Sequence, residues 1–147
     1  MDALAAFGIQ SILDYSVEGK TTDSGLKQTF DELLRIIETA SMTPHIPFVV
    51  FKGSGLAPFS LLEKVSHDST LTNREAELWD QFTTRVRKLC QAAADSSVKI
   101  MIDAEESWIQ PALDQVCLDM MEAFNQDEAV VYNTLQLYRR DRLETLK

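Results

Sequence analysis

Four apolar runs alternate with amphipathic helical patterns along this chain, and this alternation constrains its fold more than any other feature. The runs are centred on residues 12–13, 47–52, 98–103 and 129–136. Continuous apolar runs are typical of strands covered on both faces, as parallel strands usually are. Strands that alternate with helices form parallel sheets with right-handed crossovers. The sequence therefore predicts an α/β fold in which each run is a buried strand.

The helical patterns between the runs predict where the helices lie and how many units the chain contains. Helices are predicted at about 26–40, at 72–93 and after Glu106, with a short extra element at 56–65. Thr72 and Glu75 have the spacing of a capping box. A (β/α)₈ barrel has eight such units and typically ~250 residues, so four units do not close one. We interpret residues 1–147 as one partial, TIM-like barrel domain of four strand–helix units, either part of a longer protein or a half that pairs with another copy.

Composition and charge exclude several classes of function. The 14 Lys and Arg residues are outnumbered by 23 Asp and Glu residues, which gives a net charge of −9. This charge disfavours a partner bound through a phosphate backbone, such as a nucleic acid. No apolar run approaches the ~20 residues that span a bilayer, and the first seven residues do not resemble a signal peptide. Cys90 and Cys117 lie on apolar helical faces and are interpreted as core thiols of a reduced, cytoplasmic protein.

Polar side chains follow each of the predicted strands at the point where the strand ends. The carboxyl ends of parallel strands meet at one rim, where ligands bind in barrels and in doubly wound sheets. A lysine, carboxylates and amides at one rim suit a small zwitterionic substrate or the polar edge of a cofactor. His45 and His67 lie in loops away from this rim, which argues against a zinc site or a histidine-based acid–base enzyme. The rim residues are Asp14, Glu18, Lys52, Asp103, Asn133 and Gln136.

The third strand is followed by a cluster of three carboxylates. Asp103 occupies the last strand position and is expected to face the site. Glu105 and Glu106 precede a helix predicted to begin near Ser107, so they are interpreted as complements to its dipole, with Glu106 pointing away from the site. An alternative is that Asp103 and Glu105 hold Mg²⁺ in a barrel lyase. The Gly53-Ser54-Gly55 segment lacks the spacing of a phosphate-binding loop and predicts a tight turn.

Four stretches of the sequence resemble proline dehydrogenase, most closely its bacterial monofunctional form. They occur in the order of that family and lie at residues 12–19, 51–52, 101–110 and 132–138. The resemblance implies a flavoenzyme on a distorted (β/α)₈ barrel that oxidises L-proline to Δ1-pyrroline-5-carboxylate. In that family a hydride passes from C5 of proline to N5 of FAD, and the electrons then pass to a membrane quinone. The resemblance thus also implies a cytoplasmic enzyme at the periphery of the inner membrane.

The resemblance further implies roles for individual residues. Lys52 matches the lysine that meets the substrate carboxylate, and Asp103 matches the aspartate that shapes the proline pocket. Glu18 matches a glutamate that pairs with a late arginine to close over the substrate. Gln136 matches the glutamine that binds the flavin ring near N5, and Asp14 matches an aspartate of the first strand.

Part of the family's pattern has no counterpart in these 147 residues. The family places an arginine at flavin N5 on its next strand and a pair of arginines on its last helix. Arg139 and Arg140 follow the fourth strand and do not take that place. We therefore expect the isolated chain to be inactive. A non-catalytic alternative is an association module, because an open half-barrel exposes sheet edges that favour a homo-oligomer or a complex with a second half.

Overall fold

The computed structural model describes residues 2–145, which contain a four-stranded sheet. All neighbouring strands are parallel, and their order along the sheet follows the chain. This architecture confirms the predicted α/β fold and the predicted parallel pairing of the third and fourth strands. The strands are β1 (Ile12–Tyr15), β2 (Phe48–Lys52), β3 (Lys99–Asp103) and β4 (Val131–Asn133).

Helices connect the strands, as the alternating pattern predicted. A 3₁₀ turn, Gly53–Gly55, and the short helix α3 together form the extra element that was predicted after the second strand. The remaining helices lie close to their predicted positions or at the two ends of the described segment. The helices are α1 (Asp2–Ala5), α2 (Asp23–Ser41), α3 (Phe59–Ser66), α4 (Asn73–Asp95), α5 (Gln110–Phe124) and α6 (Arg142–Thr145).

Local sequence signals account for the ends of the two long helices. The Thr22 hydroxyl accepts a hydrogen bond from the backbone N–H of Gly25 at 3.1 Å and caps α2. Thr72 and Glu75 form the predicted capping box at the start of α4, with the Thr72 N–H donating to Glu75 at 2.9 Å. Each bond satisfies a backbone donor that has no partner within its helix. These two starts are decided by neighbouring residues, which is why the sequence predicts them well.

Three predicted boundaries are wrong. Strand β4 ends at Asn133 rather than continuing to Gln136, and there the side chain of Asn133 accepts a hydrogen bond from the N–H of Thr134 at 2.9 Å. Helix α5 begins at Gln110 rather than near Ser107. The basic segment after β4 forms turns first and becomes helical only at Arg142. In each case the polar residues beside the strand end form loops that shape the rim.

The first strand is not buried, contrary to the prediction. Ile12 is 55% exposed. Strand β1 lies at the edge of the sheet and pairs only with β2, so one side of it is open within the described residues. An apolar run by itself does not distinguish an edge strand from a central one.

The core lies between the sheet and the helices. Strands β2 and β3 supply its centre, with Phe51 and Ile100 fully buried. Cys90 and Cys117 are free and buried in this core, as predicted, and burial raises the pKa of each thiol to about 12. None of the helices within residues 2–145 combines the length and the apolar character needed to cross a membrane.

Candidate functional site

The carboxyl ends of β2 and β3 and the loop after β1 bring together three of the residues predicted for the site. Lys52 and Asp103 are direct partners in the strand register. The Lys52 Nζ lies 2.9 Å from Oδ2 of Asp103 and 3.4 Å from Oε1 of Glu18. Parallel strands in register place their last residues at the same rim, so this lysine meets carboxylates that are far from it in sequence. We refer to Glu18, Lys52 and Asp103 as the Lys52 cluster.

The Lys52 cluster is partly open to solvent. The side chain of Lys52 is 17% exposed, that of Asp103 is 32% exposed and that of Glu18 is 49% exposed. Burial, the strongest single influence, lowers the pKa of the Lys52 ammonium, but the hydrogen bonds and negative charges of Asp103 and Glu18 together raise it above its ordinary value. Lys52 is therefore a cation at neutral pH and can attract a ligand carboxylate.

Asp103 is held from both sides. One oxygen pairs with Lys52, and the other, Oδ1, accepts a hydrogen bond from the hydroxyl of Thr134 at 2.9 Å. The same hydroxyl accepts from the N–H of Ala104 at 2.6 Å, and this N–H also donates to Asp103 Oδ1 at 3.1 Å. Thr134 was not predicted as a site residue, although its place beside Asn133 at the end of β4 was a usable signal.

The side-chain amide of Gln136 uses its nitrogen within the described residues but not its oxygen. Its Nε2 donates to the carbonyl of Glu105 at 2.9 Å. Its Oε1 is buried and accepts no hydrogen bond from any residue in the described segment. A buried acceptor without a partner is costly, so Oε1 is available to accept a hydrogen bond from a ligand or a water.

A cavity of about 310 Å³ joins these residues. Of the four residues predicted for the site, three line it, and Asp103 borders it through its contact with Lys52. Ala104 and Tyr138 also line it and were not predicted. The lining residues are Glu18, Lys52, Ala104, Glu105, Glu106, Gln136 and Tyr138.

Glu105 does not have the dipole role predicted for it. Its side chain accepts hydrogen bonds from the Ser54 N–H at 3.0 Å and from the Ser54 hydroxyl, and the residue is only 5% exposed. Burial, opposed by the Ser54 hydrogen bonds, raises the pKa of this carboxyl. The turn fits here because Gly53 has no side chain, since a Cβ at this position would lie 2.4 Å from Leu113 Cδ2. Glu105 thus links the loop after β3 to the turn after β2.

Three other polar residues near the strand ends point elsewhere than expected. Glu106 lines the cavity instead of pointing away from it, because the chain turns after Asp103 and no longer follows strand alternation. The amide of Asn133 donates to Asp114 at 3.3 Å and not into the cavity. The exposed carboxylate of Asp14 accepts from Ser16 at 2.5 Å and does not join the Lys52 cluster.

The carboxylates of the rim are not arranged as metal ligands. Asp103 faces Lys52 and Thr134, whereas Glu105 faces Ser54, so the two do not converge on one point. Within residues 2–145 no group of three or more His, Cys, Asp or Glu side chains is placed to hold a metal ion. The geometry that the magnesium alternative requires is therefore missing from the described part of the rim.

The whole chain matches a family model described as proline dehydrogenase, over residues 1–147. This chain belongs to the proline dehydrogenase family. It is 39% identical over 143 residues to the carbapenem antibiotics biosynthesis protein CarD of Pectobacterium carotovorum subsp. carotovorum, covering 97% of this chain and 38% of CarD. It is 28% identical over 180 residues to mitochondrial proline dehydrogenase 1 of Arabidopsis thaliana, covering 96% of this chain and 36% of that protein. The chain thus spans well under half the length of these relatives.

Solved structures of proline utilization A (PutA) have the same fold. A mutant of the Bradyrhizobium japonicum protein superposes with a TM-score of 0.74 at 18% identity, covering 93% of this chain and 14% of that one. PutA from Bdellovibrio bacteriovorus, inactivated by N-propargylglycine, gives a TM-score of 0.72 at 14% identity, covering 98% of this chain and 16% of that one. The parallel α/β sheet is therefore consistent with part of a barrel.

Proposed function

We propose that this chain supplies part of the active site of a flavin-dependent proline dehydrogenase. The observation that carries the proposal is the Lys52 cluster, which places a cation between two carboxylates at a cavity whose wall includes Gln136. Membership of the proline dehydrogenase family supports the choice of substrate. The cavity, of about 310 Å³, lies at the carboxyl ends of the strands, where ligands bind in barrels.

Lys52 is proposed to bind the carboxylate of L-proline. An ammonium has three N–H donors; Lys52 donates one to Asp103 and lies 3.4 Å from the carboxylate of Glu18. The third is available to a ligand in the cavity that Lys52 lines. A charge-assisted hydrogen bond from Lys52 fixes one end of the substrate, and the negative charges of Asp103 and Glu18 favour its amino group nearby. Such fixation orients C5 of the ring for the reaction.

The residues of the rim fit a flavin. The unpartnered, buried Oε1 of Gln136 is an acceptor for a ring N–H, and its Nε2 is held in place by the Glu105 carbonyl. FAD bound there would supply the hydride acceptor for oxidation of proline at C5, and loss of the proton on the ring nitrogen would complete the formation of Δ1-pyrroline-5-carboxylate. The chain itself orients the substrate through Lys52 and Asp103 and positions the amide of Gln136.

We further propose that residues 1–147 form one domain, the first four units of a (β/α)₈ barrel. The PutA folds and the greater length of the curated relatives support this assignment. Remaining contacts to substrate and flavin then come from the other strands of the barrel. We propose a membrane quinone as the acceptor of the electrons, with the enzyme in the cytoplasm at the periphery of the inner membrane.

The proposal is tested by adding L-proline, without oxygen, to the purified full-length protein, in which residues 1–147 are joined to the rest of the proposed barrel, and recording the absorbance of its bound flavin. We expect proline to bleach the flavin and Δ1-pyrroline-5-carboxylate to be found by mass spectrometry. Gln136→Leu should weaken flavin binding, whereas Gln91→Leu, on the exposed face of α4, should not. A colourless protein that leaves proline unchanged contradicts the proposal. A colourless oligomer on gel filtration favours the association module instead.

A further inference from the structure

We propose that Asp114, which lies on α5 and does not line the cavity, is a positioning residue for the rim. It acts through Gln110, Asn133 and Arg142, and we refer to these four residues as the Asp114 network. The inference rests on the proposed function, because it assigns to the network the task of holding Asp103 and Gln136 where a substrate and a flavin meet them.

Both oxygens of the Asp114 carboxylate accept hydrogen bonds. Its Oδ1 accepts from Gln110 Nε2 at 2.7 Å and from Asn133 Nδ2 at 3.3 Å. Its Oδ2 accepts from Nη1 of Arg142. Asp114, Gln110 and Arg142 are all buried. A buried carboxylate with three donors, one of them a cation, is a rigid centre from which other groups can be held.

One arm of the network reaches the loop between β3 and α5. The Gln110 side chain that donates to Asp114 accepts, at its Oε1, the N–H of Glu105 at 2.7 Å. The carbonyl of Glu105 in turn accepts from Nε2 of Gln136 at 2.9 Å. Displacing Gln110 therefore moves the backbone of Glu105 and, with it, the amide of Gln136.

The other arm reaches the end of β4. The Asn133 side chain that donates to Asp114 accepts the N–H of Thr134 at 2.9 Å. The Thr134 hydroxyl then donates to Oδ1 of Asp103 at 2.9 Å. Asp103, the partner of Lys52, is therefore held indirectly by the same carboxylate that holds Glu105. A single buried charge thus holds the loops after β3 and β4, which supply five of the seven residues that line the cavity.

Helix α5 contains a second glutamine–aspartate pair that provides a matched control. Gln115 Nε2 donates to Asp119 Oδ1 at 2.8 Å. The Gln110–Asp114 pair has the same four-residue spacing and the same kind of hydrogen bond. Both members of the second pair are exposed. The two pairs share their helix and their spacing but differ in burial. Exchange of the Phe51 amide, which reports global stability, therefore separates an effect of burial from the connection to the rim.

The test compares Gln110→Met with Gln115→Met in the native protein. Methionine has a similar length but removes the amide. We expect Gln110→Met to accelerate hydrogen exchange of the Glu105 amide by about ten-fold or more, with the buried β2 amide of Phe51 unchanged, because local opening is separate from global unfolding. We expect kcat/KM for proline, measured per bound flavin, to fall between about ten-fold and a hundred-fold. Gln115→Met should change neither quantity.

A second variant separates the two arms. Asp114→Asn should accelerate exchange of both the Glu105 and Thr134 amides, whereas Gln110→Met should affect that of Glu105 more than that of Thr134. If Asp114→Asn does not fold, the Gln110 comparison decides alone. The inference is overturned if Gln110→Met and Gln115→Met have the same Glu105 exchange rate and the same kcat/KM. It is also overturned if Gln110→Met accelerates exchange at Phe51 as much as at Glu105, because Gln110 then has a merely structural role. A wild type that neither binds flavin nor oxidises proline defeats the proposed function instead, and the exchange rates still report whether the network holds the rim.

Discussion

The Lys52 cluster and the Asp114 network are built from the same chemistry in different surroundings. Each pairs a cation with a carboxylate from another element, Lys52 with Asp103 and Arg142 with Asp114. The side chains of Lys52 and Asp103 are 17% and 32% exposed, whereas those of Arg142 and Asp114 are 9% and 13% exposed. The first pair borders a cavity and keeps hydrogen-bonding capacity for a ligand, and the second uses its carboxylate entirely within the protein.

Burial, more than residue type, therefore distinguishes an ion pair that can bind a ligand from an ion pair that stabilises the fold. Breaking a buried ion pair leaves an uncompensated charge away from water, so its loss is felt as lost stability. An ion pair that is partly exposed contributes little to stability because water replaces the missing partner. We therefore expect loss of the Arg142–Asp114 charge pair to act first on folding and variants of the Lys52 cluster to act first on the reaction.

The largest effect is expected for Asp114→Ala. Removing this carboxylate leaves Arg142 without its buried partner and should lower the free energy of unfolding by about 3–5 kcal/mol. Asp119→Ala, the exposed counterpart on the same helix, should change it by less than about 0.5 kcal/mol. Urea denaturation of both variants measures the difference. Equal stabilities would remove the distinction between a supporting pair and an ordinary surface contact.

Lys52→Ala should act on the reaction. Losing a charge-assisted contact to the proline carboxylate should cost about 1.5–3 kcal/mol of binding, which appears as a higher KM for proline. Lys64→Ala removes a lysine from another ion pair, the partly buried 2.7 Å contact with Glu75 outside the cavity, and should leave KM unchanged. Steady-state kinetics of the two variants decide. An unaltered KM in Lys52→Ala excludes the lysine from the substrate site.

The two carboxylates near the cavity should differ from each other. Asp103→Ala should raise the activation free energy that kcat/KM reports by about 1–3 kcal/mol. The reason is that Lys52 and the Thr134 hydroxyl both lose Asp103 as a partner. Glu106 lines the cavity but forms no side-chain hydrogen bond with the rest of residues 2–145, so Glu106→Ala should have the smaller effect. Kinetic constants measured at equal flavin content test the order. The reverse order, with folding intact, would make Glu106 the more important carboxylate.

The smallest effect is expected from the pH dependence of Glu105. Burial raises its pKa above the ordinary 4.5, so the folded protein binds this proton more tightly than the unfolded chain does. The resulting stability is present below pH 4.5 and is lost as pH rises through the raised pKa. Glu105→Gln does not titrate, so its stability relative to the wild type should increase over this range. A difference that stays constant with pH in urea denaturation contradicts this assignment.

The sequence by itself determined those features that depend on residues close together along the chain. The alternation of apolar runs with helical patterns determined the parallel sheet, and Thr72 with Glu75 determined where α4 begins. Lys52 and Asp103 were predicted to share a rim because each ends a strand, and strand register alone then makes them neighbours. The resemblance to proline dehydrogenase, visible in the same strand ends, agrees with the family match.

Only the tertiary structure decided how the carboxylates divide their roles. Glu105 resembles a helix-dipole residue in sequence, but Ser54, which is 51 positions away, turns it into a buried link between two loops. Asp114 and Gln110 have the same spacing as Asp119 and Gln115. Their different roles come from Asn133 and Arg142, which reach Asp114 only after β4 has joined the sheet. Burial and long-range partners fix the energy of a charge, and neither is present in a local pattern of residues.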